Sequence, residues 1–340
     1  MTIRLAFRFG FVDDPKRKHS AILHNSVIPR AGGVPVWLAM VLVCSVVATL
    51  GFFVDDVPVH RILALFLGGL VIVGMGLWDD KYDISPGLRL AIQFGCALLV
   101  VWSGVGVSYV SNPWGAGVIS FEQFALNYNF WGEERTFFYI ANLIAIIWIV
   151  SLMNMLNWSS GLDGQNAGIS TVALLVLGFS SLLQDNVSET AAILAFVGAG
   201  AFAGFWQWSA FPQKIMPGFG GSNWSGYLIA VLAIISGAKF ATAIIVLAVP
   251  ILDAMYVGVR RILRGKNPMK HDRTHLHHYL LDLGWSKNKI AVFYWLLSAF
   301  LGILVLQLQT AGKMFVFALV VGLFLICALW IQKLLQSSKQ

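Results

Sequence analysis

Charged residues are scarce in this chain. Lysine, arginine, aspartate and glutamate together make up 11% of its 340 residues, whereas a soluble domain carries about 25%. Hydrophobic residues make up 58%. This balance excludes an ordinary soluble globular protein and is typical of a chain that crosses a lipid bilayer several times.

Cysteine is also scarce. The three cysteines, Cys44, Cys96 and Cys327, all lie within apolar stretches. Their odd number and their placement exclude a disulfide framework and a cysteine zinc site, so we expect them to be small core residues. A signal peptide is not expected, because Arg4 and Arg8 interrupt the first twelve residues. This segment is expected to lie along the membrane interface as a short amphipathic element.

Long apolar stretches predict an all-α, polytopic membrane helical bundle with about ten transmembrane helices. Most approach the roughly 20 apolar residues that a helix needs to cross the hydrocarbon core. The seventh and eighth are the weakest pair, because the seventh is short and only Lys239 marks a turn between them. The predicted spans are 33–54, 61–78, 88–109, 136–153, 168–184, 190–208, 225–238, 239–257, 290–310 and 314–332.

Basic residues are distributed unevenly about these spans. Ten spans place both termini on one side, and the connections on that side hold 19 of the 23 lysines and arginines. The other side keeps Arg61, Arg135, Lys239 and Lys313. By the positive-inside rule the richer side is cytoplasmic, which predicts a multi-pass protein of the cytoplasmic (inner) membrane.

The chain is expected to form one membrane-embedded domain, residues 1–340. Its cytoplasmic parts would include an N-terminal segment, residues 1–31, and a basic loop, residues 259–289. The net charge of +7 would then anchor lipid headgroups and attract anionic substrates. Nucleic-acid binding is not expected, because no soluble basic domain is present.

Four polar clusters interrupt the apolar sequence, and the predicted topology puts all four at the cytoplasmic face. Carboxylates, amides, glycines and histidines meeting at one membrane face indicate a site for a metal ion and phosphates, and we expect the active site there. The clusters are Trp78–Asp83 (WDDKYD), Asn154–Gly164 (NMLNWSSGLDG), Pro212–Ser222 (PQKIMPGFGGS) and His271–His278 (HDRTHLHH).

Adjacent carboxylates dominate the first cluster. Asp79 and Asp80 follow the second predicted span, with Asp83 one helical turn beyond. Neighbouring acids at a membrane face need a cation to neutralise them, and Mg²⁺ commonly binds one or two carboxylates together with substrate phosphates. The alternative is a solvated helix end neutralised by Lys81 and Arg89.

Amides and glycines make up the second and third clusters. Asn154 and Asn157 are three residues apart, on one helix face. The glycine-rich segment 214–222 predicts a turn whose N–H groups cradle phosphate at a helix N-terminus. The alternatives are a helix stop capped by Asn and Gly, and a plain re-entry turn.

The fourth cluster contains His275, His277 and His278, preceded by Arg273. Histidines and arginine in a basic loop suit phosphate binding and charge neutralisation during phosphoryl transfer. Zinc is the competing interpretation, but no cysteine is near and the acids elsewhere match magnesium better.

In this order, the four clusters resemble those of the polyprenyl-phosphate N-acetylhexosamine-1-phosphate transferase family, of the glycosyltransferase family 4 type. The similarity extends over about residues 10–290 and begins with Val12–Pro15 (VDDP) and residues 24–33 (HNSVIPRAGG). The HxHH form resembles the branch that uses simple UDP-N-acetylhexosamines. Members join a sugar 1-phosphate from a UDP-sugar to a polyprenyl phosphate and release UMP, in the first membrane step of cell-envelope polysaccharide assembly.

The resemblance implies roles for individual residues. Asp79, Asp80 and Asp163 would be the catalytic acids and the ligands of Mg²⁺, with Mn²⁺ as an alternative ion. The implied partners are a polyprenyl (undecaprenyl) phosphate lipid, a UDP-N-acetylhexosamine and the membrane, and a homodimer is compatible with the sequence. The implied substrate-binding residues are Asn154, Asn157, Lys81, Lys214, Arg273, His275, His277 and His278.

Two departures from the family pattern affect acids. Where the family usually has GDxGS, this chain has Phe219 in Gly218–Ser222 (GFGGS), and where it usually has DGLDG, this chain has Ser160. One lost acid is implicated in magnesium binding and the other in nucleotide contacts. The alternative function is therefore a catalytically inactive relative that binds lipid carrier or nucleotide-sugar.

Overall fold

A computed structural model of the chain describes residues 1–15, 26–54, 56–107, 109–112, 117–121, 124–130, 133–183, 187–237, 239–265 and 275–337. Helices dominate these ranges, which confirms the all-α fold class. In chain order the helices are α1 Thr2–Phe9, α2 Gly33–Thr49, α3 Val59–Tyr82, α4 Pro86–Trp102, α5 Tyr139–Trp158, α6 Gln165–Leu183, α7 Glu189–Ser209, α8 Gly218–Ile235, α9 Phe240–Val246, α10 Ala248–Leu263, α11 Leu276–Asp282, α12 Lys287–Leu306 and α13 Thr310–Ser337.

Short antiparallel hairpins lie in the connections. Strand β1 (Val12–Asp13) pairs with β2 (Ile28–Pro29), with Val12 opposite Pro29. The connection between α4 and α5 contains two more hairpins. They pair β3 (Tyr109–Ser111) with β4 (Val118–Ser120) and β5 (Ala125–Phe130) with β6 (Glu133–Phe138).

The predicted number of spans is approximately right. Among the described helices, α3, α5, α6, α7, α8, α12 and the 310–331 part of α13 are long and apolar enough to cross a bilayer. Helices α2 and α4 are apolar but 17 residues long, at the lower limit for spanning. The bent pair α9–α10 completes the ten predicted stretches.

The eighth predicted span, 239–257, is broken into two helices. Helices α9 and α10 meet at Leu247 with a bend of 80°. Pro250 has no N–H to donate to the carbonyl of Val246, the last residue of α9, so the helical ladder cannot continue across the break. Pro250 instead occupies the first turn of α10, where a missing N–H is tolerated.

Glycines allow α8 to pack closely at the centre of the bundle. Residues 219–234 of α8 are all buried. A Cβ at Gly76 on α3 would overlap the backbone of Gly220, and a Cβ at Gly33 on α2 would lie 2.6 Å from the backbone nitrogen of Gly221. These contacts let three helix backbones touch, so side chains near this end of α8 are held in fixed positions.

Three local expectations have different outcomes. The glycine-rich turn at 214–222 is wrong in part, because α8 begins at Gly218 and its glycines serve helix packing. The amphipathic N-terminal element is confirmed as α1, which buries Ala6 and is capped at its C-terminus by Gly10. Cys44 and Cys96 are buried as expected, but Cys327 is exposed on α13.

Candidate active site

The four polar clusters meet at one end of the bundle, as the sequence predicts. The first and third are joined where Asp80 accepts hydrogen bonds from the N–H of Phe219. The second and third are joined where Ser222 donates to Asn157. The second and fourth touch where a Cβ on Gly161 would lie 2.7 Å from Nε2 of His277. Groups from helices α3, α5, α8 and α11 thus border one region.

Asp80 is buried in the last turn of α3, with 3% of the residue exposed. Both of its carboxylate oxygens lie 3.2 Å from the N–H of Phe219 in the first turn of α8, where a helix N-terminus stabilises negative charge. Nε of Arg30 lies 3.0 Å from Oδ1 of Asp80, and the same guanidinium reaches Asp13 at 3.6 Å. The buried carboxylate therefore already has a cationic partner.

Asp79 has a different arginine partner. Nε of Arg89, on α4, lies 2.6 Å from Oδ1 of Asp79, and the same side chain pairs with Asp83. The Arg89 guanidinium also lies over the ring of Phe219. Lys81 points elsewhere and stacks against the rings of Phe11 and Tyr82. The alternative interpretation of this cluster was a helix end neutralised by Lys81 and Arg89, and of these two cations Arg89 contacts the acids directly.

A chain of amides crosses the bundle behind Phe219. Asn154 on α5 donates to Oε1 of Gln93 on α4 at 2.8 Å. Gln93 in turn donates to Oδ1 of Asn223 on α8 at 2.6 Å, and Asn223 donates to the carbonyl of Phe219 at 2.8 Å. Because these buried amides satisfy one another, they fix α4, α5 and α8 relative to each other. Asn154 is thus engaged within the protein.

Asn157 lies in the last turn of α5, beside the first turn of α8. Its Oδ1 accepts a hydrogen bond of 2.6 Å from Ser222, and its carbonyl accepts one of 2.6 Å from Ser160. Ser160, at the position where the resembled family usually has an acid, therefore closes the end of the helix. This contact between Asn157 and α8 agrees with the prediction that the second and third clusters lie close together.

Asp163 lies in the turn between α5 and α6. Its Oδ2 accepts from the N–H of Gln213 at 3.4 Å, a long hydrogen bond to the segment before α8. The next residue, Lys214, is exposed, and its ammonium lies 5.2 Å from the centroid of the Trp208 ring. Asp163 and Lys214 therefore border the same part of the site, from two different connections.

Three histidine rings form a row at the start of α11, so the predicted loop at 259–289 contains a helix. The rings of His275 and His277 are parallel with centroids 5.8 Å apart, and those of His277 and His278 are 4.2 Å apart. Burial of His277, with the neighbouring His278 and His275 rings, holds its pKa well below its usual range. His277 is therefore neutral at pH 7. Arg273, predicted to bind substrate, lies outside the described residues.

His275 is anchored by Asp253, a buried residue of α10. Oδ2 of Asp253 lies 2.9 Å from Nδ1 of His275, and Oδ1 accepts a 2.7 Å hydrogen bond from the N–H of Leu276. The carboxylate thus fixes the ring and the first turn of α11 together. Nearby, Arg260 donates to the hydroxyl of Tyr279 at 2.6 Å, a second link between α10 and α11.

The acids in this arrangement do not fit a magnesium site. Within the described ranges, no three His, Cys, Asp or Glu side chains are grouped so that they could hold a metal ion. Asp79 and Asp80 are each neutralised by an arginine, and Asp163 contacts a different connection. Phe219 supplies an aromatic ring where the family usually has a carboxylate. The predicted ligand set of Asp79, Asp80 and Asp163 remains a prediction.

Sequence reasoning missed four residues of this region: Arg30, Gln93, Asn223 and Asp253. Arg30 stands within the resembled segment 24–33 and could have been found there. The other three are polar residues inside apolar stretches, where such residues are rare and bundle-facing. That rarity was an available indication of their importance, although it did not identify their partners.

The chain is similar to one known protein family and to several named bacterial proteins. Residues 62–237 match the model of Glycosyl transferase family 4. A probable undecaprenyl-phosphate N-acetylglucosaminyl 1-phosphate transferase of Bacillus subtilis is 28% identical, over 91% of this chain and 80% of that protein. A decaprenyl-phosphate N-acetylglucosaminephosphotransferase of Mycobacterium tuberculosis is 29% identical (86% and 74% covered). The undecaprenyl-phosphate alpha-N-acetylglucosaminyl 1-phosphate transferase of Escherichia coli is 25% identical (88% and 76%).

Proposed function

Because this chain belongs to glycosyl transferase family 4, we propose that it transfers N-acetylglucosamine 1-phosphate from a UDP-sugar to a polyprenyl phosphate. The names of the relatives support both the acceptor class and the transferred group. Undecaprenyl phosphate is the expected acceptor, and the product would begin the assembly of a cell-envelope polysaccharide.

In the proposed reaction an oxygen of the lipid phosphate attacks the phosphorus that carries the sugar. A new P–O bond forms as the bond between the two phosphates of the UDP-sugar breaks. UMP leaves with that bonding pair, and the product is a polyprenyl diphosphate sugar. Since a phosphate oxygen is already a nucleophile, the protein must chiefly position two anions and offset their repulsion.

The observation that carries this proposal is the meeting of the four clusters at one end of the bundle. Cationic and hydrogen-bonding groups from several helices border one region, which is what two phosphate-bearing substrates require. His275 and Lys214 are the described groups best suited to meeting phosphate, since His277 is neutral and Arg30 and Arg89 hold carboxylates. Arg273 would join them.

The asymmetry of basic residues supports an orientation in which this end faces the cytoplasm, where UDP-sugars are made. Magnesium dependence is part of the proposal on the strength of the resemblance alone. The acids do not form a ready site for the ion, so no reaction step is assigned to it. A metal bound to the nucleotide would meet this end of the bundle as part of the substrate.

The proposal is tested by turnover with purified protein, undecaprenyl phosphate, Mg²⁺ and a panel of nucleotide sugars. We expect a lipid-linked sugar and UMP in equal amounts with UDP-N-acetylglucosamine. Asp56→Asn is a matched carboxylate control, because Asp56 bonds Ser188 and Thr190 away from the four clusters. It should retain wild-type turnover.

A folded wild-type protein that is inert with every nucleotide sugar would overturn the transferase proposal. If that protein still bound UDP-N-acetylglucosamine or undecaprenyl phosphate, the inactive-relative alternative would replace it.

A further inference from the structure

Asp253 is a buried acid that nothing in the reaction chemistry above uses. It lies in the apolar helix α10, with 3% of the residue exposed. A carboxylate buried in a membrane bundle is unfavourable unless a specific partner compensates for its lost hydration. Its partners are Nδ1 of His275 and the N–H of Leu276, at 2.9 and 2.7 Å.

These contacts determine the hydrogen-bonding state of His275. An ionised carboxylate only accepts hydrogen bonds, so Nδ1 of His275 must carry the proton that lies between the two groups. The other ring nitrogen, Nε2, is on the far side of the imidazole. With Nδ1 engaged in this way, Nε2 is the ring nitrogen left to meet a substrate anion.

We propose that Asp253 is a positioning residue that fixes the ring of His275 so that its Nε2 meets the diphosphate of the nucleotide sugar. This inference rests on the proposed function and assigns His275 a role distinct from those of its two neighbours. His277 and His278 are both buried, at 2% and 3% exposure, whereas the His275 side chain retains 15%. Of the three described histidine rings, His275 is therefore the one that is accessible to solvent and also contacts a carboxylate.

The competing role for Asp253 is purely structural. Its contact with the Leu276 N–H caps the first turn of α11 and would stabilise that helix whatever His275 does. Asp253→Asn separates the two roles, because asparagine also accepts a hydrogen bond from a helix N-terminus but has no negative charge. Because its amide can present either an NH₂ donor or a carbonyl acceptor to Nδ1, it no longer fixes which nitrogen of the His275 ring carries the hydrogen.

A double-mutant cycle with Asp253→Asn, His275→Gln and the double variant tests the coupling. We expect each single variant to raise KM for the nucleotide sugar by about 10- to 100-fold, the size of effect seen when a metal-bound histidine loses its hydrogen-bonded partner. KM for the polyprenyl phosphate should change much less. The double variant should be no worse than His275→Gln alone, because Asp253 acts through that ring. Fully additive losses would overturn the proposal.

Nitrogen NMR of ¹⁵N-histidine-labelled protein gives a readout that needs no turnover. The His275 signals, assigned by their absence in His275→Gln, should show a protonated Nδ1 in the wild type and a changed pattern in Asp253→Asn. An unchanged pattern would overturn the positioning role even in an active enzyme. An inert wild type that shows the expected pattern would instead refute the proposed function and leave the Asp253–His275 coupling intact.

Discussion

The guanidinium of Arg89 lies over the ring of Phe219, 5.1 Å from its centroid. Arg89 simultaneously holds Asp79 and Asp83, so one cation connects α3, α4 and α8. Phe219 stands where the resembled family usually has an acid. In this chain the position of that acid is therefore taken by an aromatic ring with an arginine over its face. A contact between a cation and an aromatic face stabilises a folded protein by about 0.5–2 kcal/mol.

Phe219→Asp is therefore the most informative single substitution. A carboxylate at this position would compete for Arg89 and add an acidic ligand beside Asp79 and Asp80. We expect the Mg²⁺ concentration for half-maximal turnover to fall by about tenfold, because ligand charge count sets affinity for hard cations. Phe219→Leu, which removes the ring without adding charge, is the matched control.

Two results would contradict this expectation. Equal Mg²⁺ dependence in Phe219→Asp and Phe219→Leu would show that position 219 is remote from the ion. Turnover that appears only when Phe219→Asp is combined with Ser160→Asp would show that the natural chain is an inactive relative.

Asp80→Asn should abolish turnover, with a loss on the order of 100-fold or more if Asp80 takes part in transition-state stabilisation. It should also destabilise the protein, because Arg30 would lose the carboxylate it now contacts. The double variant Arg30→Gln with Asp80→Asn removes both charges, so its thermal midpoint in detergent should recover while its activity does not. Recovery of both would mean that Asp80 serves only as a counter-ion.

Gly76→Ala should prevent α3 and α8 from packing at their present distance. The added methyl group would overlap the backbone of Gly220, and overpacking of this kind costs about 1–3 kcal/mol or more. Gly74→Ala, two residues earlier on the same helix, meets no atom within 4 Å and should be neutral. Thermal unfolding of both variants in detergent measures the difference, and equal stability would show that the helices separate without penalty.

The helices could be predicted from sequence because an apolar stretch is a local property. Each of the ten predicted stretches contains a helix, although Pro250 divides one of them. The meeting of the clusters also followed from topology, since alternate connections of a bundle share one end. The partners within that end could not be predicted. Arg30 and Asp80 are far apart in sequence, whereas Lys81 and Arg89 are the cations that follow the Asp79–Asp80 pair closely along the chain.

The glycines of the third cluster show the same limitation. A run of glycines before an apolar stretch is compatible with a phosphate-binding turn and with close helix packing. Whether the glycines bind phosphate or pack against a helix depends on which residues face them. Those residues are Gly33 and Gly76, which are distant in sequence. Asp253 is a further case, because its position in an apolar stretch indicated importance but did not identify His275 as its partner.

The orientation of the bundle is tested by cysteine labelling in a background with Cys44, Cys96 and Cys327 replaced by alanine. Lys214→Cys is exposed at the end that carries the four clusters, and Val118→Cys is exposed on the β4 strand of the α4–α5 connection. A membrane-impermeant maleimide applied to intact cells should label Val118→Cys alone. Labelling of Lys214→Cys from outside would place the site on the wrong side for UDP-sugars.

Protein stability should fall in mild acid because His277 is buried as a neutral ring. Its pKa lies well below the ordinary value in the folded state, whereas the unfolded chain binds a proton near pH 6.5. Below that pH the unfolded state binds more protons than the folded state, so the free energy of unfolding decreases as the pH falls. The thermal midpoint in detergent should therefore drop between pH 7.5 and 5.5, and His277→Gln should reduce that drop. A drop unaffected by His277→Gln would show that protonation of this ring does not limit stability.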